Sequence, residues 1–372
     1  MHIDPFGVEI WMNAHETRCT LNLAETCVES LTIGELMILC GRNEGDLSTL
    51  LGMKMTYGEI EGSVRLRTAI AGLYARQAVE NTIVTHGTIG ANMLVHRALV
   101  GAGDRVVSIV PTYQQHQSIP ASLGAEVAEL RLREEDGWLP DMEALAELCT
   151  PGTKLIALTN PNNPTGALID EAGLRRIAEI ADAAGAWVLC DEVYRGTDQE
   201  GAGMTAAMCD LYGRGISTGG MSKAYSLAGL RLGWVAGPLE VIRAVMIHRD
   251  YDTISVGIID DHFAAMALEN RDRVLARAQS ITRGNLGSLS DWIDTQPLVS
   301  FVRPRSGTVA LIRVDVPVTS EAFCTGLLAE TGVLLTPGSA FGMEGYVRIG
   351  YANSPEILQA GLAAMGDYLR RF

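Results

Sequence analysis

The 372-residue sequence lacks any run of about eighteen apolar residues, the length a helix needs to cross a bilayer. Its first residues, Met1, His2, Ile3, Asp4 and Pro5, do not follow the basic-then-apolar order of a secretory leader. A cytoplasmic protein with no membrane partner is therefore expected. Basic side chains are in deficit: 29 lysines and arginines stand against 44 aspartates and glutamates, a formal charge of −15. Such a surface repels polyphosphates, which argues against nucleic acid as a partner. The cysteines, at 19, 27, 40, 149, 190, 209 and 324, form no C-x-x-C pair and no His/Cys spacing of a zinc site. They read as reduced thiols, several where a small buried hydrophobe fits, and no metal is expected. What is present is an ordinary globular composition, 47% hydrophobic and 20% charged, on a chain long enough for two domains.

From about residue 82, short apolar runs alternate with helical patterns: Thr82 to Thr85, Arg105 to Val110, Glu126 to Leu130, Lys154 to Thr159, Ala186 to Cys190 and Gly215 to Thr218. Strand and helix in alternation predict an α/β fold, with a mostly parallel sheet between helices. Leu155, Ile156, Ala157 and Leu158 are continuously apolar, as in strands buried on both faces. Helical spacing over Leu145 to Cys149 and over Leu174 to Ala184, the latter behind Asp170 as N-cap, supplies crossovers. After Gly237-Pro238 the pattern turns to long helices through about Trp292. Short strands then follow near Val309 to Val314 and Tyr346 to Tyr351. This predicts a large domain over 43–267 and a smaller α+β domain, discontinuous in sequence, from 1–42 and 268–372.

In an open parallel sheet, ligands bind beyond the carboxyl ends of the strands. Gly87 and Thr88 stand at such a strand-to-helix junction, where free N–H groups and the helix dipole suit a phosphate. Asn160 to Gly166 reads N-P-N-N-P-T-G after the strand that ends at Thr159, and Asp191 to Tyr194 reads D-E-V-Y after the one that ends at Cys190. Asp191 follows four apolar residues and needs a cationic or hydrogen-bonding partner. Ser222 and Lys223 lie in a Gly-rich stretch. Arg231 and Arg348 each sit in an apolar, strand-like run, where a guanidinium usually faces a fixed anion.

In this order, N-P-N-N-P-T-G, D-E-V-Y and S-K-x5-G-x-R-x-G-W resemble the signature of the fold type I pyridoxal 5′-phosphate enzymes, specifically the class I/II aminotransferase family. The likeness runs from about Tyr57 to Arg348. It implies an aspartate aminotransferase-like fold and makes Lys223 the lysine that joins the cofactor as a Schiff base and then moves the Cα proton. Apolar surroundings would keep that amine deprotonated. The likeness also pairs Asp191 with the pyridine nitrogen, sets Asn163 and Tyr194 on the ring oxygen, and stacks Tyr113 on the ring. Gly87, Thr88, Ser222 and Arg231 would hold the phosphate. Tyr57 resembles the tyrosine that reaches the phosphate of a neighbouring subunit, which implies a homodimer. Arg348, with Asn163, would take the substrate α-carboxylate, and Phe6, Gly7, His15 and Glu16 would line the substrate entrance.

One departure stands out. Three residues before the lysine the family usually carries Ser or Thr, and this chain has Gly220; Thr218 or backbone N–H groups are the expected substitutes. The resemblance implies transamination of an L-amino acid to a 2-oxo acid. The alternative is β- or γ-elimination, replacement or cyclisation of an arginine derivative or an S-adenosylmethionine-type substrate in specialised metabolism. Ser222-Lys223-Ala224-Tyr225, Leu230-Arg231 and Arg249-Asp250-Tyr251 are similar to the capreomycidine synthases, which cyclise a hydroxyarginine. An arginine-like side chain would need acids, and Glu9 and Glu16 are the nearest candidates. For a second carboxylate, Arg18, Arg303 and Arg305 are available and none is assigned. A non-catalytic binding domain is disfavoured, because Lys223, Asp191 and Arg348 are all retained.

Overall fold

Continuously apolar strands can be buried only in a sheet covered on both sides. The computed structural model, which describes residues 2–372, shows that sheet. Its seven strands are β1 (Thr82–His86), β2 (Arg105–Val110), β3 (Glu126–Arg131), β4 (Thr153–Thr159), β5 (Trp187–Asp191), β6 (Gly215–Gly220) and β7 (Leu232–Ala236), in the order β1-β7-β6-β5-β4-β2-β3. β2 to β6 run parallel, and β7 is antiparallel to both β6 and β1. Strand alternation divides the apolar runs between two cores. Val106, Leu155, Leu189 and Ile216 face one, whereas Val107, Ile156 and Val188 face the other.

Arg231 is not inside a strand. Ala228–Leu230 form a 3₁₀ turn, Arg231 takes a left-handed φ of 48°, and β7 begins one residue later. The strand-like reading from Gly229 merged this turn with the strand behind it, because both are apolar.

Five helices set up the site: α1 (Gly7–His15), α2 (Gly87–Leu99), α3 (Gln115–Ser122), α4 (Glu171–Ala184) and α5 (Leu239–Asp250). Asp170 caps α4 by accepting from Gly173 N–H at 2.9 Å, and Gly185 ends it in a left-handed turn. From α5, the buried guanidinium of Arg249 donates to the carbonyls of Val84 and Ile60, tying β1 to the segment that follows Tyr57. No helix among the described residues is long and apolar enough to cross a membrane.

A second, antiparallel sheet contains β8 (Val299–Phe301), β9 (Val309–Val314), β10 (Thr336–Pro337) and β11 (Tyr346–Gly350), ordered β10-β11-β9-β8. Ala310, Ile312, Val347 and Ile349 share a core with Trp11 and Leu23 from the N-terminal segment. Leu21 and Asn22 also pair in parallel with Val333 and Leu334. Leu36, Met37 and Cys40 instead pack with Leu66, Trp234 and Phe263 against the large sheet.

Candidate active site

The carboxyl ends of β4, β5 and β6, the start of α2 and the strand β11 of the smaller sheet surround a cavity of about 370 Å³. Thr88, Tyr113, Asn163, Asp191, Tyr194, Ser222, Lys223, Arg231 and Arg348 all line it. Residues 88 to 348 therefore converge on one space, as the strand ends of such a sheet require.

At one end of the cavity, Gly87 opens α2 with φ +67°, and a Cβ there would stand 3.0 Å from Arg231 Nη2. The hydroxyl of Thr88 is buried with no partner in the protein. An orphaned buried hydroxyl is costly unless a ligand satisfies it. Beside it, Arg231 Nη1 donates to the Ala228 carbonyl at 3.0 Å and reaches Ser222 Oγ at 3.5 Å. Hydroxyls, a guanidinium and a helix N-terminus together suit a phosphate. Gly220 fits here because a Cβ would lie 2.4 Å from Thr88 Oγ1. Thr88 thus fills the space a side chain at 220 would need. Thr218 is not the substitute hydroxyl, because it donates to Asn92 Oδ1 at 2.7 Å.

Asp191, only 4% exposed, ends β5 on the cavity wall. Its Oδ2 accepts from Asn92 Nδ2 at 2.8 Å and its Oδ1 from Val193 N–H at 3.0 Å. Burial pushes the carboxyl up to about 6, against the lowering effect of Asn92, Val193 and Lys223.

Lys223 Nζ donates to Thr26 Oγ1 at 2.5 Å and lies 3.5 Å from Cys27 Sγ. Burial alone would lower its proton affinity, but Cys27, Tyr194 and Glu25 outweigh burial and the shift is upward. Burial pushes the Cys27 thiol up to about 11, and it raises Tyr194 as well. Both stay neutral near pH 7, which leaves Glu25 as the anion facing Lys223. Burial opposes the ionisation of Glu25, yet Lys223 and the N–H groups of Cys27 and Thr26 hold its carboxyl below the usual range. The amine is therefore protonated here, contrary to the expectation of an apolar, neutral lysine. Of the groups that raise its proton affinity, Cys27 and Glu25 come from a segment about two hundred residues away.

Arg348 on β11 is 3% exposed and pairs with no carboxylate among the described residues. It donates to Asn163 Oδ1 at 3.2 Å, Thr336 Oγ1 at 3.1 Å and the Ala24 carbonyl at 3.2 Å, while its Nε has no partner. A fixed, unpaired guanidinium on a cavity wall is a ready carboxylate receptor.

Tyr113 donates to Glu9 Oε1 at 2.7 Å, and its ring packs on Phe6 with centroids 4.6 Å apart. Glu9 and Glu16 line the cavity with Val8, Met12 and the stretch Ala24 to Cys27. Burial and then the charges of Glu25 and Glu9 raise the Glu16 carboxyl. Phe6, Gly7 and His15 do not line the cavity: Phe6 backs Tyr113, Gly7 N–H donates to Gln114, and His15 packs on Trp11. Arg18, Arg303 and Arg305 are also off the cavity, and Tyr57 points to solvent, 74% exposed.

Four residues escaped the sequence reading. Glu25, Thr26 and Cys27 lie in an irregular segment with no periodicity to betray them. Asn92 left a faint signal, as one amide among Ala91, Leu94 and Val95 on the buried face of α2.

Comparison with known proteins matches this geometry. Residues 49–364 fit the family described as Aminotransferase class I and II. Capreomycidine synthase from Streptomyces vinaceus is 29% identical over 97% of this chain and 93% of its own. A pyridoxal phosphate-dependent aminotransferase structure from Streptococcus suis superposes with a TM-score of 0.97 at 42% identity, covering 100% of this chain and 99% of that one. The pyridoxal phosphate-dependent cyclase OrfR does so with a TM-score of 0.92 at 29% identity, covering 100% and 98%. A large mostly parallel sheet beside a smaller antiparallel one, with these motifs at its strand ends, is thus the fold type I architecture, and the chain belongs to the class I and II aminotransferases.

Proposed function

We propose that this protein is a pyridoxal 5′-phosphate-dependent aminotransferase that converts an L-amino acid to its 2-oxo acid. One observation carries the reading: Lys223, Asp191 and Arg348 face one cavity that ends at the unpartnered Thr88 hydroxyl. Gly87, Thr88, Ser222 and Arg231 hold the phosphate by backbone, hydroxyl and guanidinium. Tyr113 covers one face of the ring, Asn163 and Tyr194 donate to its oxygen, and Asp191 accepts from its pyridine N–H. When bound, the cofactor supplies an electron sink for the pair left at Cα when the proton departs. Lys223 holds the cofactor covalently and, once displaced, takes and returns the Cα proton. Its raised proton affinity means that the free amine must first lose a proton before it can act as a base. Arg348 and Asn163 fix the substrate α-carboxylate, which orients the Cα–H bond against the ring.

The same reading makes the protein a cytoplasmic homodimer in which Tyr57 reaches the neighbour's phosphate. Support for the dimer comes from apolar side chains open to solvent around Tyr57, namely Leu51 and Met55 at 89% and 77% exposed. The reading also divides the chain into a large domain, 43–267, and a small one from 1–42 and 268–372. The core shared by Trp11, Leu23 and Val347 supports that division, although Leu36 to Cys40 lean on the large sheet.

A second reading, elimination, replacement or cyclisation of a cationic amino acid, is favoured by the three carboxylates of Glu9, Glu16 and Glu25 on the cavity wall. The likeness to a named cyclase points the same way. A stopped-flow absorbance scan of the loaded enzyme against amino acids, including arginine derivatives and without any 2-oxo acid, tests both. A single turnover that stalls until an acceptor is added identifies an aminotransferase. Continued turnover without an acceptor supports the second reading. Lys223→Ala should abolish borohydride-trappable cofactor, and a covalent adduct that survives the substitution would refute the lysine assignment.

A further inference from the structure

We propose that Asn92 is a positioning residue that aims Asp191 at the pyridine nitrogen and holds it as a carboxylate, with Thr218 aiming Asn92 in turn. This role rests on the cofactor reading above. Asn92 is 1% exposed on the buried face of α2, so its amide must find partners inside the protein. Every polar atom of it has one. Thr218 Oγ1 donates to Asn92 Oδ1 at 2.7 Å, and Asn92 Nδ2 donates to Asp191 Oδ2 at 2.8 Å and, more weakly, to Gln115 Oε1 at 3.4 Å. Gln115 is itself anchored to the Ile89 carbonyl at 3.0 Å.

The direction of this chain follows from its chemistry. An ionised carboxylate only accepts, so the amide must turn its NH₂ toward Asp191. The opposite orientation would set oxygen against oxygen. Val193 N–H occupies the other carboxylate oxygen at 3.0 Å, which leaves lone pairs on both oxygens for a pyridine N–H. An amide, unlike an imidazole or a second acid, neither gives up nor takes a proton near neutral pH. Asn92 therefore favours the anion without competing for the proton that the pyridine must keep.

The other titratable groups around Asp191 do not serve this purpose. Lys223 lowers its proton affinity from across the cavity, but it is committed to the reacting carbon. Glu192 turns away, accepting from Ser217 and from Met208 N–H. His96, one turn further along α2, is bonded to His116 beside Gln115 at 3.2 Å, and burial keeps both rings neutral.

Because pyridoxal phosphate binds best when Asp191 is ionised and the pyridine is protonated, its affinity falls on the acid side as Asp191 takes up a proton. Losing the Asn92 bond moves that acid limb to higher pH. The test measures the dissociation constant of pyridoxal phosphate by fluorescence titration from pH 5 to 9 for wild type, Asn92→Leu, Thr218→Val and the double variant. Asn92→Leu is expected to weaken binding about 10- to 100-fold near neutral pH, the loss of one hydrogen bond to a charge. It should also raise the acid midpoint. Thr218→Val should move both in the same direction by less, and the double variant should be no worse than Asn92→Leu alone, since Thr218 acts only through Asn92. Unchanged affinity and midpoint in Asn92→Leu, or full additivity in the double variant, would overturn the role. Should Asn92→Leu fail to fold, an unshifted midpoint in Thr218→Val would overturn it equally. A wild type that takes up no pyridoxal phosphate would refute the cofactor reading, and this role with it.

Discussion

Asp191→Asn removes a charge whose burial opposes folding, and the size of that opposition can be read from the structure. The carboxyl is pushed from 3.8 up to about 6, chiefly by burial. At roughly 1.4 kcal/mol per tenfold change in proton affinity, the difference amounts to about 3 kcal/mol. The sign follows from proton counting. Between pH 4 and 6 the folded chain holds a proton on Asp191 that the unfolded chain has released, so stability is fully present below about pH 4 and is lost as pH rises through 6. An asparagine never ionises and escapes this loss. It keeps only one of the two donors that Asp191 accepts, Asn92 and Val193, which costs about 1 kcal/mol at every pH. The variant without added cofactor should therefore be about 2 kcal/mol more stable than wild type at pH 8, with the advantage gone near pH 4. Paired urea midpoints across this range measure it. A gap that does not change with pH, or a variant weaker than wild type at pH 8, would refute the argument. With pyridoxal phosphate present the order reverses, because the variant lacks the anion that pairs with the pyridine.

Gly220→Ser forces a side chain within 2.4 Å of Thr88 Oγ1; pyridoxal phosphate binding should weaken about tenfold by equilibrium dialysis, and unchanged affinity would mean that Thr88 does not serve the phosphate. Mixing a Tyr57→Phe variant with a Lys223→Ala variant should yield heterodimers with one intact site, and no recovered activity under confirmed subunit exchange would count against a shared site.

The large sheet was legible because its strands are apolar on both faces and its crossovers are periodic. Asp170 and Gly185 bound α4 as their chemistry predicts. The reversal of β7 was not legible, since an apolar run carries no sign of its direction, and Arg231 hides the turn before it. At the site, motif order picked out side chains from strand ends that do converge on one cavity. What it could not supply was contact across the chain. The raised proton affinity of Lys223 draws on Cys27 and Glu25, and Asp191 is held by Asn92, and none of these partners lies in a motif or near its target in sequence. Thr218 looked like a phosphate ligand by type and position, yet its hydroxyl was already engaged.

The N-terminal segment has a consequence for engineering. Glu9, Glu16, Glu25, Thr26 and Cys27, together with Arg348, reach the cavity from elements whose apolar sides sit in the smaller core with Trp11, Leu23 and Val347. Asp191, Thr88 and Ser222 reach it from the large sheet and the turns at its edge. Recognition and chemistry are thus mounted on separate supports that meet around the cavity. Exchanging residues 6 to 28 as a cassette would redraw the pocket for a new side chain while leaving the parts that break the Cα–H bond on an undisturbed frame. Lys223 spans the division through its bond to Thr26, as do Tyr113 through Glu9 and Arg348 through Asn163, and positions 9 and 26 are therefore where such a graft must match its host.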